Sequence, residues 1–118
     1  MFLYNEVQKR EANQERVRVG LIGAGKFGSM FLSQVPFSVG LEVISIVDIS
    51  VENAKKNCRD VGWTEEQIES VLFFDNLKKM ISQTKIDVLV EATGDPVEGT
   101  KHALIAIEEG LDIVMVNV

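Results

Sequence analysis

The 118-residue chain sets 12 Lys+Arg against 18 Asp+Glu, a formal charge of -6 with its one histidine neutral, and 46% of its residues are hydrophobic. That is the composition of one domain with a core of its own. It excludes broad binding to nucleic-acid backbones, which takes clustered basic side chains, and a helical membrane span, which takes about 20 consecutive apolar residues. The single cysteine, Cys58, rules out an intrachain disulfide and a multi-thiolate metal site, and is expected to be a buried, inert thiol. The first residues lack the apolar stretch and cleavage signature of a secretion signal, so the expected location is the cytoplasm.

In chain order, residues 1–16 mix scattered apolar positions with many charges and read as a helical lead-in. The run VRVGLIG at 17–23 is too continuously apolar for a surface helix and suits a strand covered on both faces. Over 26–35, Phe27, Met30, Phe31 and Val35 recur at helical spacing and predict an amphipathic helix with these four on its core face, which Pro36 stops. A second buried strand follows at 41–48. Ser50 is placed to cap a helix over 51–60, and Gly62 to end it in a left-handed conformation.

Thr64 and Gln67 have capping-box spacing for a short helix over 65–70, followed by a strand at 71–74. Asp75 is placed to cap a helix over 76–83, on which Leu77, Met80 and Ile81 share a face. A strand at 86–92, a turn at 93–96, a helix near 98–109 with Pro96 suited to its start, and a strand at 112–118 complete the chain. This alternation predicts an α/β fold, a Rossmann-like parallel sheet of about five strands with helices on both faces. Right-handed crossovers then gather the C-terminal strand ends on one edge, where ligands bind. Residues 17–118 form that domain, and the stop inside a strand-like run suggests a piece of a longer multidomain protein.

The strongest local motif is GAGKFG at 23–28, a G-x-G-x-x-G loop between a buried strand and a helix. Gly23 permits the tight turn, Gly25 lets a diphosphate approach the backbone, and Gly28 lets the helix pack against the strand. Backbone amides, including that of Ala24, and the positive helix end attract phosphate. Lys26 can reach a phosphate or stay solvated, and Phe27, although in the loop, follows the period of the helix core. The competing reading of the motif is a tight turn needed only for packing. Asp48, ending the second strand, is suited to accept hydrogen bonds from an adenosine ribose, which favours NAD, while Ser50, Lys55 and Lys56 keep NADP open.

After the fourth strand, Ala92, Thr93 and Gly94 are the small residues expected where a dinucleotide crosses the sheet edge, Thr93 as a donor to phosphate or ribose, or else as a turn hydroxyl. Asn117 ends the fifth strand on the same edge and suits the nicotinamide end or a substrate, or a strand-end role. Glu91 and Asp95 are assigned fold roles rather than an acid and base pair. His102, without a second His or a nearby Cys, is not expected to bind a metal.

The stretches VGLIGAGKFGSMFLSQ at 19–34, IVDIS at 46–50, VEATGDP at 90–96 and DIVMVNV at 112–118 resemble the N-terminal nucleotide-binding domain of homoserine-dehydrogenase-like oxidoreductases, most closely a branch carrying a C-terminal SAF-type domain. The resemblance implies dinucleotide-loop roles for Gly23, Gly25 and Gly28, a ribose-side role for Asp48 and a cofactor-facing turn at Ala92, Thr93 and Gly94. It places the proton-transfer and substrate groups downstream, so no catalytic residue is assigned within this chain. The expected function is hydride transfer between nicotinamide and a polar alcohol or carbonyl substrate held by a downstream domain. No nucleic-acid or membrane partner is expected, and a homo-oligomer is allowed. The alternatives are a nonenzymatic dinucleotide-sensing module and an S-adenosylmethionine-dependent methyltransferase.

Overall fold

The computed structural model describes residues 16–116, so the lead-in, apart from Arg16, and Asn117 lie outside the described residues. Strand β1 (Val17–Ile22) leads to helix α1 (Lys26–Gln34), a short 3-10 turn (Val35–Phe37) and β2 (Leu41–Val47). Helices α2 (Val51–Asp60) and α3 (Glu65–Glu69) precede β3 (Leu72–Phe74), and α4 (Leu77–Gln83) precedes β4 (Val88–Glu91). Helix α5 (Pro96–Glu108) and β5 (Asp112–Met115) follow. The strands form one five-stranded sheet in the order β3-β2-β1-β4-β5, every pair parallel.

Continuous apolar runs become inner strands because both of their faces are covered. On one face Val17, Val19 and Leu21 of β1 pack with Leu32 of α1, Ala54 and Cys58 of α2 and Ile68 of α3. On the other, Ile22 packs with Leu77 and Met80 of α4, Leu89 of β4 and Ala106 of α5. Gly20 belongs to this second face: a Cβ there would lie 2.8 Å from the Met80 methyl, so the missing side chain is what admits Met80. The chain moves from β1 outward through β2 to β3, then returns to β4 on the other side of β1. Between the C-terminal ends of β1 and β4 the connections diverge and leave a crevice.

The helix starts follow the sequence at Ser50, which accepts from Asn53 N, and at Thr64, which forms the capping box with Gln67; Gly62 is left-handed at φ 99°. Two expectations are corrected. Asn76, not Asp75, caps α4: its backbone is extended and its Oδ1 accepts from Lys79 N at 3.1 Å, while Asp75 pairs with the Lys79 ammonium at 3.5 Å. Helix α5 begins at Pro96, the residue suited to its start: Asp95 accepts from the amides of Val97 and Glu98, and proline at the first position has no amide to satisfy.

The second correction concerns α1. Met30 is 59% exposed, and the buried stripe is Gly28 and Leu32, with Phe27 and Phe31 partly buried beside it. Gly28 carries no hydrophobic signal, yet it sets which face of α1 turns inward. A Cβ on Gly28 would lie 1.9 Å from the carbonyl oxygen of Gly23.

Gly28→Ala should cost about 3 kcal/mol or more of stability, because a backbone oxygen cannot swing aside as a side chain can, and urea unfolding will measure the loss. Burial pushes the Cys58 thiol up to about 11 against a smaller opposing effect of Arg59. At pH 8 the thiolate is then only on the order of one part in a thousand. Cys58 should react slowly with a disulfide reagent in the native chain and rapidly once denaturant is added.

Candidate cofactor crevice

The turn after β1 is squeezed between the ends of its two neighbours. Gly23 has φ 91° and donates its amide to Val47 O at 2.8 Å, and a Cβ on it would lie 3.0 Å from Thr93 N. Only glycine satisfies both the backbone angle and the approach. Ala24 is fully buried; its amide donates to Asp48 Oδ2 at 2.8 Å, and its carbonyl accepts from Asn57 Nδ2 at 2.7 Å and Ser29 Oγ at 3.0 Å. The loop is therefore fixed from β2, β4 and α2 together.

Gly25, the N-cap of α1, is exposed, and among the described residues nothing beyond its chain neighbours lies within 4 Å of a Cβ placed on it. Internal packing thus gives no reason for glycine there, whereas an approaching ligand does. The first amides of a helix have no acceptor within it, and the aligned peptide dipoles make this end positive. Lys26 is exposed, with its ammonium 6.0 Å from the centre of the Phe27 ring. Phe27 packs on the core and beneath Gly94, where a Cβ would lie 2.7 Å from its ring; Gly94 has φ 72°.

Asp48 reaches two amides, Ala24 N through Oδ2 and Ser50 N at 3.0 Å through Oδ1. Each carboxylate oxygen keeps a further lone pair. Ser50 spends its hydroxyl oxygen on the α2 cap. The Lys55 ammonium sits 5.5 Å from the centre of the Phe73 ring, and Lys56 pairs with Asp60 at 3.0 Å. The two lysines that kept a 2′-phosphate in play are thus engaged along α2, while the Ser50 hydroxyl, an acceptor in the cap, keeps its proton to donate.

At the end of β4 the buried Glu91 carboxylate is a junction. Its Oε1 accepts from Thr93 N at 2.8 Å and from the Thr93 hydroxyl, and its Oε2 meets His102 Nδ1. Thr93 Oγ1 in turn accepts from Asp95 N at 3.2 Å. Of the two readings of Thr93, the structure has the turn hydroxyl: its one proton goes to Glu91, and only acceptor capacity is left for a ligand.

These pieces border a crevice of about 630 Å³ at the C-terminal edge of the sheet, within the size range of small-molecule sites. Of the residues singled out from sequence, Gly23, Gly25, Asp48, Ala92 and Thr93 line it. Ala24, Lys26, Phe27, Gly28, Ser50 and Gly94 stand behind or beside that lining, and Asn117 lies outside the described residues. Sequence reasoning missed the opposite walls: Ile49 and residues 75–78 on one side, Glu98 and His102 of α5 on the other. A usable signal existed in Gly99 and His102, three apart on one helix face. A Cβ on Gly99 would lie 3.6 Å from Glu91 Cγ, so this face of α5 looks onto β4.

Fold and loop together define a dinucleotide-binding α/β domain. The chain belongs to the GFO_IDH_MocA family, described as an oxidoreductase family with an NAD-binding Rossmann fold, whose model matches residues 17–116. No curated protein sequence matches the chain. Similar solved structures include a dehydrogenase from Chromobacterium violaceum, at 22% identity and TM-score 0.70, covering 86% of this chain and 28% of that one. The WlbA dehydrogenase from Bordetella pertussis in complex with NADH and UDP-GlcNAcA matches at 22% identity and TM-score 0.67, covering 86% and 28%. The myo-inositol dehydrogenase from Lactobacillus casei in complex with NAD(H) and myo-inositol matches at 24% identity and TM-score 0.66, covering 85% and 28%. The chain thus spans little more than a quarter of the length of these structures.

The family match corrects the expected kinship with homoserine dehydrogenases and their SAF-domain branch. The stretches that suggested it are the glycine loop, the acidic strand end and the small-residue turn after β4. Those features follow from wrapping a parallel sheet around a dinucleotide, so they specify the fold and not the branch. The match also leaves the methyltransferase reading without support. Among the described residues no helix is long and apolar enough to cross a membrane.

Gly25→Ser should leave the thermal midpoint unchanged or slightly raised, because serine is at least as good an N-cap and meets open space here. A loss of more than about 1 kcal/mol would show that Gly25 has an internal structural duty.

Proposed function

We propose that residues 17–118 are the NAD-binding portion of an oxidoreductase that moves hydride between nicotinamide and a polar alcohol or carbonyl substrate. Further polypeptide of the same protein would supply the substrate-binding and proton-transfer groups. The observation that carries this reading is the juxtaposition, on one sheet edge, of open space over Gly25, the unpaired end of α1 and the Asp48 carboxylate. These residues fit a dinucleotide: the α1 amides suit the diphosphate, and the spare lone pairs of Asp48 suit a ribose diol. When bound, NAD supplies the hydride acceptor.

In this reading the chain's own groups bind and orient. Gly23, Ala24 and Gly28 hold the loop in shape, with Phe27 and Gly94 packed together beneath it. Gly25 opens the approach to the amides, and Lys26 adds positive charge beside it. Ala92 and Thr93 flank the crossing point as a small residue and a hydrogen-bond acceptor, and Asn117 is assigned to the nicotinamide side. Ser50 acts through the backbone, donating its amide to Asp48. The carboxylate of Asp48, with Lys55 and Lys56 engaged elsewhere, favours NAD over NADP. The ligands named for the similar structures, myo-inositol and UDP-GlcNAcA, support a polyhydroxylated ring as substrate class.

Fluorescence titration of the 118-residue chain should give NADH binding at least about tenfold tighter than NADPH, with negligible turnover until the remaining polypeptide is present. Gly25→Ser should weaken NADH about tenfold or more while leaving the fold intact. Asp48→Ala weakens both dinucleotides, because Asp48 also ties down the Ala24 amide, but it should weaken NADH more, by about 1.5 to 3 kcal/mol for the charged hydrogen bonds lost. An unchanged NADH to NADPH ratio in Asp48→Ala would remove the ribose role and leave Asp48 as a loop support alone.

A further inference from the structure

The α5 wall of the crevice carries a polar arrangement that hydride transfer does not use. Glu91 is 2% exposed, and as a carboxylate it can only accept. The contact of its Oε2 with His102 Nδ1 therefore puts a proton on Nδ1, and in the neutral ring this leaves Nε2 as a bare acceptor. His102 lines the crevice, its side chain 15% exposed. Beside it, Glu98 Oε2 lies 3.9 Å from His102 Nε2, while Glu98 Oε1 is held by the Lys101 ammonium at 3.3 Å. Two acceptors thus stand side by side on one wall, and each is kept from turning away by a different partner.

We infer that His102 Nε2 and Glu98 Oε2 form a recognition pair for a primary amino group, and that the group is the exocyclic amine of the adenine ring of the dinucleotide. Such an amine has two N–H donors, which two adjacent acceptors can take together. Adenine is favoured over the nicotinamide carboxamide because the same crevice contains Asp48, where the adenosine ribose is assigned, and Ile49 and Leu77, which give it apolar surface opposite α5. This inference rests on the dinucleotide reading of the crevice. Glu91 is a positioning residue in it: it touches no ligand and acts by fixing which ring nitrogen of His102 carries the proton.

The test compares NADH with reduced nicotinamide hypoxanthine dinucleotide, in which a carbonyl replaces the amine, on the 118-residue chain. The native chain should prefer NADH by about tenfold or more, since the carbonyl sets an acceptor against two acceptors. His102→Ala and Glu98→Ala should each bring the two affinities closer; the Glu98 side chain is only half-buried, so its variant keeps the experiment sound if loss of His102 harms folding. His102 is the chain's only histidine, so its ring nitrogens can be followed by NMR without ambiguity. They should report the Nδ1–H tautomer in the native chain and lose that preference in Glu91→Gln, and Nε2 should shift on adding NADH but not the hypoxanthine analogue. A preference for NADH that persists undiminished in both alanine variants, or an Nε2–H tautomer in the native chain, would overturn the inference while leaving the cofactor site standing. Failure of folded native chain to bind NADH at all would bring down both.

Discussion

Backbone packed on backbone sets the geometry of this protein's ligand edge. The carbonyl of Gly23 occupies the space where Gly28 would carry a side chain, and Gly23 itself lies against the amide of Thr93. Those two approaches draw α1, the end of β1 and the end of β4 into one rigid corner. The amide of Ala24, buried in that corner, would be costly without an acceptor; Asp48 provides it. Asp48, proposed to recognise a ribose, is thus also the residue that closes the loop, so that recognition and the loop shape would not vary independently.

Much of this was legible in the sequence because it depends on local rules. Apolar continuity marked β1 and β2 as inner strands, Ser50 and Thr64 marked helix starts, and Gly23 and Gly28 of the loop fell where close approach demands them. The illegible parts depend on tertiary choices. The inward face of α1 is set by Gly28, which has no hydrophobicity to register, so Met30 was read inward while Leu32 took the buried place. Asp75 and Asn76 are both competent caps; the extended backbone at Asn76 decides between them, and Asp75 turns to Lys79. The family assignment failed for a related reason, since its motifs were those the fold itself requires.

The α5 side of the crevice shows how far residue-by-residue reading reaches. Glu91 and His102 are eleven positions apart, and neither matches a familiar motif. They meet because the first turns of α5 lie over the end of β4, where Gly99 leaves room for the Met115 methyl, 2.9 Å from where its Cβ would be. Once they meet, chemistry follows from donor and acceptor counts alone: the Thr93 hydroxyl is spent, the ring proton is placed, and an acceptor faces the open space. A buried carboxylate that first read as a fold residue thereby reaches into the specificity of the ligand wall without touching the ligand.

The central claim is that a dinucleotide diphosphate rests on the amides at the start of α1. Amide-resolved NMR during titration with NADH tests it most directly. The largest shift changes are expected at Gly25, Lys26 and Phe27, with further changes at Asp48 and Thr93. Saturable binding that leaves those loop amides unmoved, and instead perturbs the far, N-terminal edge of the strands around Val17 and Leu41, would contradict it.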